Sequence, residues 1–249
     1  DEPMTARAAL LLLAAASPLV DQQAQRPPGA APAAAAHLLV VSNEGARSLS
    51  IVDPAQRRVI ATVPLDGRAR GVQLSPDGRR AYVALSDDQP SAESDRDAIV
   101  EIDVARRAVV RRHSSGTDPE QFGVSPDGRW LYASNEDAGT ASATDLRTGR
   151  VVATLVVGIE PEGVAVSPDG RWVYVTAETS NSVSVIDTRI NEVAANFLVD
   201  VRPRAAAFAP DGRRAYVTAE IGGTLAVIDV ATHEVLETVS LGDGNSKPV

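Results

Sequence analysis

Charged side chains recur at fixed positions along the 249-residue sequence. One set lies four residues after three of the four tyrosines of a regular series, and another lies 17 residues after four of the five aspartates of a second series. A third set precedes the second by two residues. We call these twelve the rim residues. The first set is Glu136, Glu178, Glu220 and, at the equivalent position of the first unit, Glu44; the second is Arg70, Glu120, Glu162 and Arg204; the third is Arg68, Asp118, Glu160 and Arg202.

Two interpretations of the rim residues remain open. Carboxylate oxygens suit hard cations such as calcium, so the rim could bind a cation, a polar ligand or a partner. Alternatively, Glu and Arg pair across neighbouring units, and such pairs contribute little when they are exposed to water. The arginines compete for the carboxylates, so we predict no metal site, no cofactor and no catalytic residue.

The composition excludes several kinds of chemistry. The chain has no cysteine, which rules out disulfides, thiolate nucleophiles and Cys-ligated zinc. His37, His113 and His233 are the only histidines, and their positions in the repeat do not point to a common centre. Neither a phosphate-binding Gly-Lys-Ser/Thr loop nor a Gly-x-Ser-x-Gly elbow is present. The net charge of −9 is a poor match for nucleic acid.

The chain repeats itself from residue 38 onwards. A turn of the type Ser-Pro-Asp-Gly-Arg recurs at spacings of 50, 42 and 42 residues, and tyrosines and aspartates recur in the same register. Each unit contains short runs rich in Val, Ile, Tyr and Thr between turn residues, which is typical of β-strands. The turns begin at Ser75, Ser125, Ser167 and Ala209.

Four-stranded units of about 42 residues in tandem predict an all-β fold, a β-propeller of four-stranded blades. A β-sandwich would not repeat at this period. The loops between strands two and three and the loops between blades share one end of a propeller, so we expect the rim residues to surround the mouth of the channel. The predicted propeller spans 37–249, with blades at about 37–66, 67–116, 117–158, 159–200 and 201–242.

Several segments resemble the YVTN family of β-propeller repeats. Residues 174–177 and 216–219 read Tyr-Val-Thr-Ala, and Val-Ile-Asp segments recur. Segments at 116–120, 157–163, 198–204 and 219–224 are similar to exported YVTN propellers that are associated with pyrroloquinoline-quinone-dependent alcohol oxidation.

This resemblance implies about seven blades and a periplasmic, non-catalytic binding or accessory role. It also suggests a periplasmic quinoprotein dehydrogenase or its cytochrome as partner. The alternative is a propeller enzyme, either a lactonase-type hydrolase or a redox protein, that uses carboxylates of the inner rim such as Glu120 and Glu162. A haem-d1-type propeller would need axial and propionate partners that the sequence does not reveal.

Both ends of the chain differ from this pattern. The first unit has three strands, and we expect about five blades of seven, with an incomplete ring and further blades after Val249. Residues 1–24 resemble a signal peptide, because an apolar stretch from 8 to 16 is too short to span a membrane. Residues 25–36 are rich in Pro and Ala, as in a linker. We therefore expect export to the periplasm.

Overall fold

The structure of the protein is a computed structural model that describes residues 38–87, 96–242 and 247–249. The described residues form 19 β-strands and no α-helix. Accordingly, this part of the chain offers no helix of sufficient length and apolarity to cross a membrane. The predicted leader, the predicted linker and His37 lie outside the described residues.

The strands form five antiparallel sheets, and each sheet consists of strands that are consecutive in sequence. Sheet 1 has three strands and sheets 2 to 5 have four strands each. The predicted all-β propeller is therefore confirmed. Sheet 1 comprises β1 (Leu39–Asn43), β2 (Ser48–Asp53) and β3 (Arg58–Pro64); sheet 2 comprises β4 (Arg68–Leu74), β5 (Arg80–Ser86), β6 (Ala98–Asp103) and β7 (Ala108–His113). Sheet 3 comprises β8 (Pro119–Val124), β9 (Trp130–Asn135), β10 (Thr140–Asp145) and β11 (Arg150–Val156); sheet 4 comprises β12 (Pro161–Val166), β13 (Trp172–Ala177), β14 (Ser182–Asp187) and β15 (Glu192–Leu198). Sheet 5 comprises β16 (Pro203–Phe208), β17 (Arg214–Ala219), β18 (Thr224–Asp229) and β19 (Glu234–Ser240).

Successive sheets meet through their first strands. Strand β4 contacts β8, β8 contacts β12, and β12 contacts β16. The middle strands β13 and β14 are almost entirely buried, whereas the fourth strand β19 is exposed along its whole length. The first strands therefore lie on the inside of the propeller, the fourth strands lie on the outside, and the core fills the space between sheets.

The repeated turn residues act locally, as their chemistry predicts. Gly128 in the turn between β8 and β9 has a φ of 69°, a left-handed conformation that glycine adopts without strain. In the same turn, Asp127 Oδ1 accepts a hydrogen bond from the backbone N–H of Arg129 at 3.0 Å. These residues close the hairpins at one end of each sheet, and the rim residues lie at the opposite end.

The repeat tyrosines link neighbouring sheets on the outer side. The Tyr132 hydroxyl donates to Oδ1 of Asn191 at 3.0 Å, and the Tyr174 hydroxyl lies 2.8 Å from Nδ1 of His233. Asn191 and His233 occupy equivalent turns and have positive φ angles of 51° and 58°. Burial lowers the pKa of His233, and the positive charge of Arg171 lowers it further. The ring is therefore neutral at pH 7, and its Nδ1 can accept a hydrogen bond from the tyrosine hydroxyl.

Replacing His233 with Asn should make the protein less sensitive to acid. Asn accepts the same hydrogen bond and tolerates the left-handed backbone, so the stability at pH 7 should change by less than about 1 kcal/mol. Below about pH 6.5 the unfolded wild-type chain takes up a proton on His233 more readily than the folded chain, so wild-type stability falls. Denaturant unfolding at several pH values measures this. Parallel pH profiles for the two proteins would contradict the prediction.

Gly163 on β12 lies where sheets 4 and 5 approach closely. A Cβ atom on Gly163 would be 2.2 Å from the backbone oxygen of Arg204 and 3.0 Å from Cα of Ala205. Both atoms belong to the backbone and cannot move aside as a flexible side chain would. A glycine is therefore required here by the close approach of the next sheet.

We expect Gly163→Ala to destabilise the protein by about 1–3 kcal/mol, because overpacking forces the two sheets apart. Gly45→Ala is the control, since a Cβ at Gly45 would have no heavy atom within 4 Å. Thermal unfolding of both variants measures the difference. Equal melting temperatures would show that the junction between the sheets accommodates the methyl group.

Candidate functional site

Backbone hydrogen bonds join the two kinds of loop that carry the rim residues. In each case the N–H of the glutamate after the second strand donates to the carbonyl of a residue in the loop before the first strand of the same sheet. These bonds run from Glu136 to Asp118 at 3.1 Å, from Glu178 to Glu160 at 2.9 Å and from Glu220 to Arg202 at 2.8 Å. The bonds hold the side chains of both loops at the same end of the propeller.

Hydroxyl groups fix the first strands that carry Glu162 and Arg204. Ser134 Oγ donates to the carbonyl oxygen of Glu162 at 2.7 Å, and Thr176 Oγ1 donates to that of Arg204 at 3.0 Å. Thr176 also accepts the N–H of Gly163 at 2.8 Å. Ser134 and Thr176 are not among the residues predicted from the sequence, although each lies two residues after a repeat tyrosine.

One group of ion pairs joins sheets 1, 2 and 3. The Arg70 guanidinium contacts the carboxylate of Glu120, and its Nη1 lies 3.0 Å from Oε1 of Glu44. The same oxygen of Glu44 lies 3.2 Å from Nε of Arg68. Glu120 is only 4% exposed, whereas the Glu44 side chain is 44% exposed. Arg70 therefore connects a surface carboxylate to a buried one.

A second group of ion pairs joins sheets 4 and 5. Arg204 Nη1 lies 2.8 Å from Oε1 of Glu162 and also contacts Glu178. Arg202 Nε lies 2.8 Å from Oε2 of Glu178 and 3.2 Å from Oε2 of Glu220. Glu162 and Glu178 are 6% and 4% exposed, so the two arginines neutralise carboxylates that have little access to water.

An acidic cluster lies between these two groups. One carboxylate oxygen from each of Asp118, Glu120 and Glu136 lies within 4.8 Å of the others. Oε1 of Glu120 and Oδ1 of Asp118 are both buried and have no hydrogen-bond partner. The mouth of the channel therefore contains carboxylate oxygens that no protein donor satisfies.

Burial raises the pKa values of the carboxyl groups in the mouth. Removal from water raises the pKa of Glu120 to about 8, Arg70 opposes this, and the nearby Glu162 carboxylate reinforces it. Burial also raises the pKa of Glu136 and that of Glu162, which Arg204 partly offsets. At neutral pH the mouth therefore contains at least one carboxyl group that can hold a proton.

The structure brings together the rim residues that the repeat pattern singled out. Arg70 and Arg204 pair with glutamates of adjacent sheets, as the ion-pair interpretation expects. Glu136 instead belongs to the acidic cluster. Glu160 is exposed and contacts the hydroxyl of Thr179. Ligand binding by the rim residues stays a prediction.

The two histidines of the described residues lie away from the mouth. His113 ends the outer strand β7, and its Nε2 is 3.2 Å from Oε2 of Glu101. His233 lies in the turn between β18 and β19, where it bonds Tyr174 and packs edge-on against Trp172. Both side chains therefore take part in the packing of the sheets.

Comparisons with known proteins agree with the propeller architecture. Residues 92–197, less than half of the chain, match the Cytochrome D1 heme domain family. A seven-bladed beta-propeller protein of Mycobacterium tuberculosis is 30% identical over 118 residues, which is 46% of this chain and 28% of that protein. The match thus spans little more than a quarter of this relative.

Solved structures show the same fold at low sequence identity. Hydrazine synthase of Kuenenia stuttgartiensis superposes with a TM-score of 0.73 at 22% identity, covering 84% of this chain and 64% of that chain. A functionally unknown protein from Desulfotomaculum acetoxidans gives 0.70 at 16% identity, covering 81% and 66%. The chain spans less than two thirds of both structures' chains, and at these identities the likeness concerns the fold alone.

The described residues do not fit a haem in the mouth. An axial ligand is usually His, Met, Cys or Tyr. The described histidines lie in outer packing positions, and Tyr82, Tyr132 and Tyr174 are buried. Tyr216 is partly buried and lies at the equivalent position of β17. Arginines that could pair with haem propionates, such as Arg70 and Arg204, already contact two or more carboxylates. We therefore derive no haem chemistry from this site.

We expect the stability of wild-type protein to fall as the pH rises towards 8, and we expect Glu120→Gln to show a smaller fall. The folded state holds the Glu120 proton up to about pH 8, whereas the unfolded chain releases it near 4.5. The stabilising contribution is therefore complete below pH 4.5 and is lost as the pH rises towards 8. Each pKa unit corresponds to about 1.4 kcal/mol, so the variant should gain a few kcal/mol relative to wild type.

Denaturant unfolding between acidic and mildly alkaline pH, with a chelator present, measures this difference. Glu44→Gln is the matched control, because Glu44 contacts the same arginine from an exposed position. Its stability difference from wild type should stay nearly constant with pH. A constant difference for Glu120→Gln as well would show that the buried carboxyl group is ionised throughout.

Proposed function

We propose that the protein is an exported, non-catalytic β-propeller that binds a positively charged partner at the mouth of its channel. The observation that carries this proposal is the charge of the rim residues. Eight carboxylates stand there against four guanidinium groups. Each of the four rim arginines contacts at least one carboxylate, so the excess charge of the mouth is negative. A partner with a basic face would be attracted and oriented by this field.

The resemblance to exported YVTN propellers supports a specific setting for this role. We propose that the partner is a periplasmic quinoprotein dehydrogenase or its cytochrome, and that the protein assists alcohol oxidation that depends on pyrroloquinoline quinone. The leader-like composition of residues 1–24 supports export to the periplasm. The propeller fold is compatible with many functions, so the rim chemistry and not the fold supports the binding role.

A hydrolase is the second candidate. Glu120 favours it, because a buried carboxyl group with a pKa of about 8 can donate a proton at neutral pH as a general acid. The paired arginines weaken it, since within the described residues Glu120 and Glu162 each contact a guanidinium group that limits their freedom to attack a substrate. A redox role receives no support from the positions of the described histidines.

The binding proposal predicts that neutralising the mouth weakens association with the partner. The triple variant Glu120→Gln, Glu136→Gln and Glu162→Gln should bind the purified quinoprotein dehydrogenase or cytochrome about tenfold more weakly at low salt. The control triple variant changes Glu192, Glu234 and Glu237, three exposed glutamates of the outer strands, to Gln. It replaces the same number of carboxyl groups and should bind like wild type. Surface plasmon resonance measures both affinities.

The same variants separate the two candidate functions. If the rim and control variants lose affinity equally, the loss reflects the net charge of the protein, and this result would contradict a specific binding site. Hydrolysis of a lactone substrate by wild-type protein, abolished by Glu120→Gln alone, would favour the hydrolase instead.

A further inference from the structure

At two junctions between sheets, a glutamate of one sheet forms ion pairs with two arginines of the following sheet. At the junction of sheets 1 and 2, Glu44 receives Arg68 and Arg70. At the junction of sheets 4 and 5, Glu178 receives Arg202 and Arg204. The repeat thus brings two cationic side chains to the glutamate that follows a second strand.

The junction of sheets 3 and 4 breaks this pattern. Glu136 is the equivalent glutamate there, and Glu160 and Glu162 occupy the two positions that hold arginines in sheets 2 and 5. Within the part of the chain that the structure describes, no arginine forms an ion pair with Glu136. Arg70 and Arg204 from the flanking sheets contact other carboxylates instead. The junction of sheets 2 and 3 also has carboxylates at these two positions, Asp118 and Glu120, but Ser86 replaces the glutamate there. Among the described junctions, that of sheets 3 and 4 therefore combines the glutamate with two further carboxylates in place of the two arginines.

The unsatisfied oxygens of the acidic cluster lie at the same place. Glu120 is 4% exposed, and while Arg70 contacts its Oε2, its Oε1 is buried without a hydrogen-bond partner. Oδ1 of Asp118 is likewise buried and unpartnered. A buried carboxylate oxygen without a donor is unfavourable, and a cation that binds it removes the penalty.

We infer that Asp118, Glu120 and Glu136 bind one divalent cation of the calcium type in the mouth of the propeller. Their oxygens lie within 4.8 Å of one another, so a small movement of the side chains brings all three to the usual Ca²⁺–O distance of about 2.4 Å from one ion. Water completes the shell. The site rests on the proposed role of the rim as a binding surface. The ion supplies the positive charge that arginines supply at the junctions of sheets 1 and 2 and of sheets 4 and 5.

Calcium titration of the chelator-treated full chain tests the site without any partner protein. Isothermal titration calorimetry should show one saturable Ca²⁺ site per chain, with a Kd on the order of 10⁻⁴ M. Saturating Ca²⁺ should also raise the melting temperature, because the ion binds the folded state. Absence of saturable binding up to about 10 mM Ca²⁺, far above this Kd, would overturn the inference.

Matched substitutions locate the ion. Glu136→Gln removes one proposed ligand and should weaken Ca²⁺ binding at least tenfold, or about 1.4 kcal/mol. Glu192→Gln is the control, because Glu192 is an exposed glutamate of the outer strand β15 and is not one of the rim residues. It should leave the Ca²⁺ affinity unchanged. Equal effects of the two substitutions would also overturn the site.

Glu160→Arg supplies the missing cation covalently. Arg202 holds the equivalent position of sheet 5 with a φ of 63°, close to the 55° of Glu160, so arginine fits this backbone. By the geometry of Arg202, the new side chain should reach Glu136, keep the fold and abolish Ca²⁺ binding. A folded Glu160→Arg protein that binds Ca²⁺ like wild type contradicts the inference. A wild-type protein that binds Ca²⁺ but does not bind the partner would instead contradict only the proposed function.

Discussion

The contact between the first strand of one sheet and the second strand of its neighbour organises the rest of the molecule. Ser134 and Thr176 each extend a hydroxyl group across this contact to a backbone carbonyl of the next sheet. Gly163 has no room for a Cβ atom at the same level. These contacts fix the backbone of one sheet relative to that of the next. The adjoining loops therefore place their side chains together at the mouth of the channel.

Crowding charges into this mouth has an energetic consequence. Carboxylates that lose water must gain a counter-charge, a proton or hydrogen bonds, since desolvation otherwise outweighs their attraction to distant charges. Arg204 provides the counter-charge for Glu162 and Glu178. Glu120 has only Arg70 and lies near two other acids, so burial raises its pKa. The uneven supply of arginine thus gives one part of the mouth properties that the repeat pattern alone would not produce.

The regular spacing of the repeated residues was enough to predict much of this arrangement. Turns, tyrosines and aspartates recur together, and they predicted the four-stranded units that the structure shows as sheets 2 to 5. The same register selected Glu120 and Glu162 as residues of the mouth. It could not predict that Arg70 would contact glutamates of both neighbouring sheets. A long side chain can reach several carboxylates, and which of them are close enough depends on how the sheets assemble.

The sequence by itself determined the all-β propeller and the positions of the charged loops, because strand periodicity and turn chemistry act over a few residues and repeat every 42. Only the tertiary structure decided which charges meet, which lose water and which remain without a partner. Glu136 and Glu178 occupy the same place in their repeats, yet one joins an acidic cluster and the other contacts two arginines. The difference arises because burial and pairing depend on the neighbouring sheet, which local sequence does not encode.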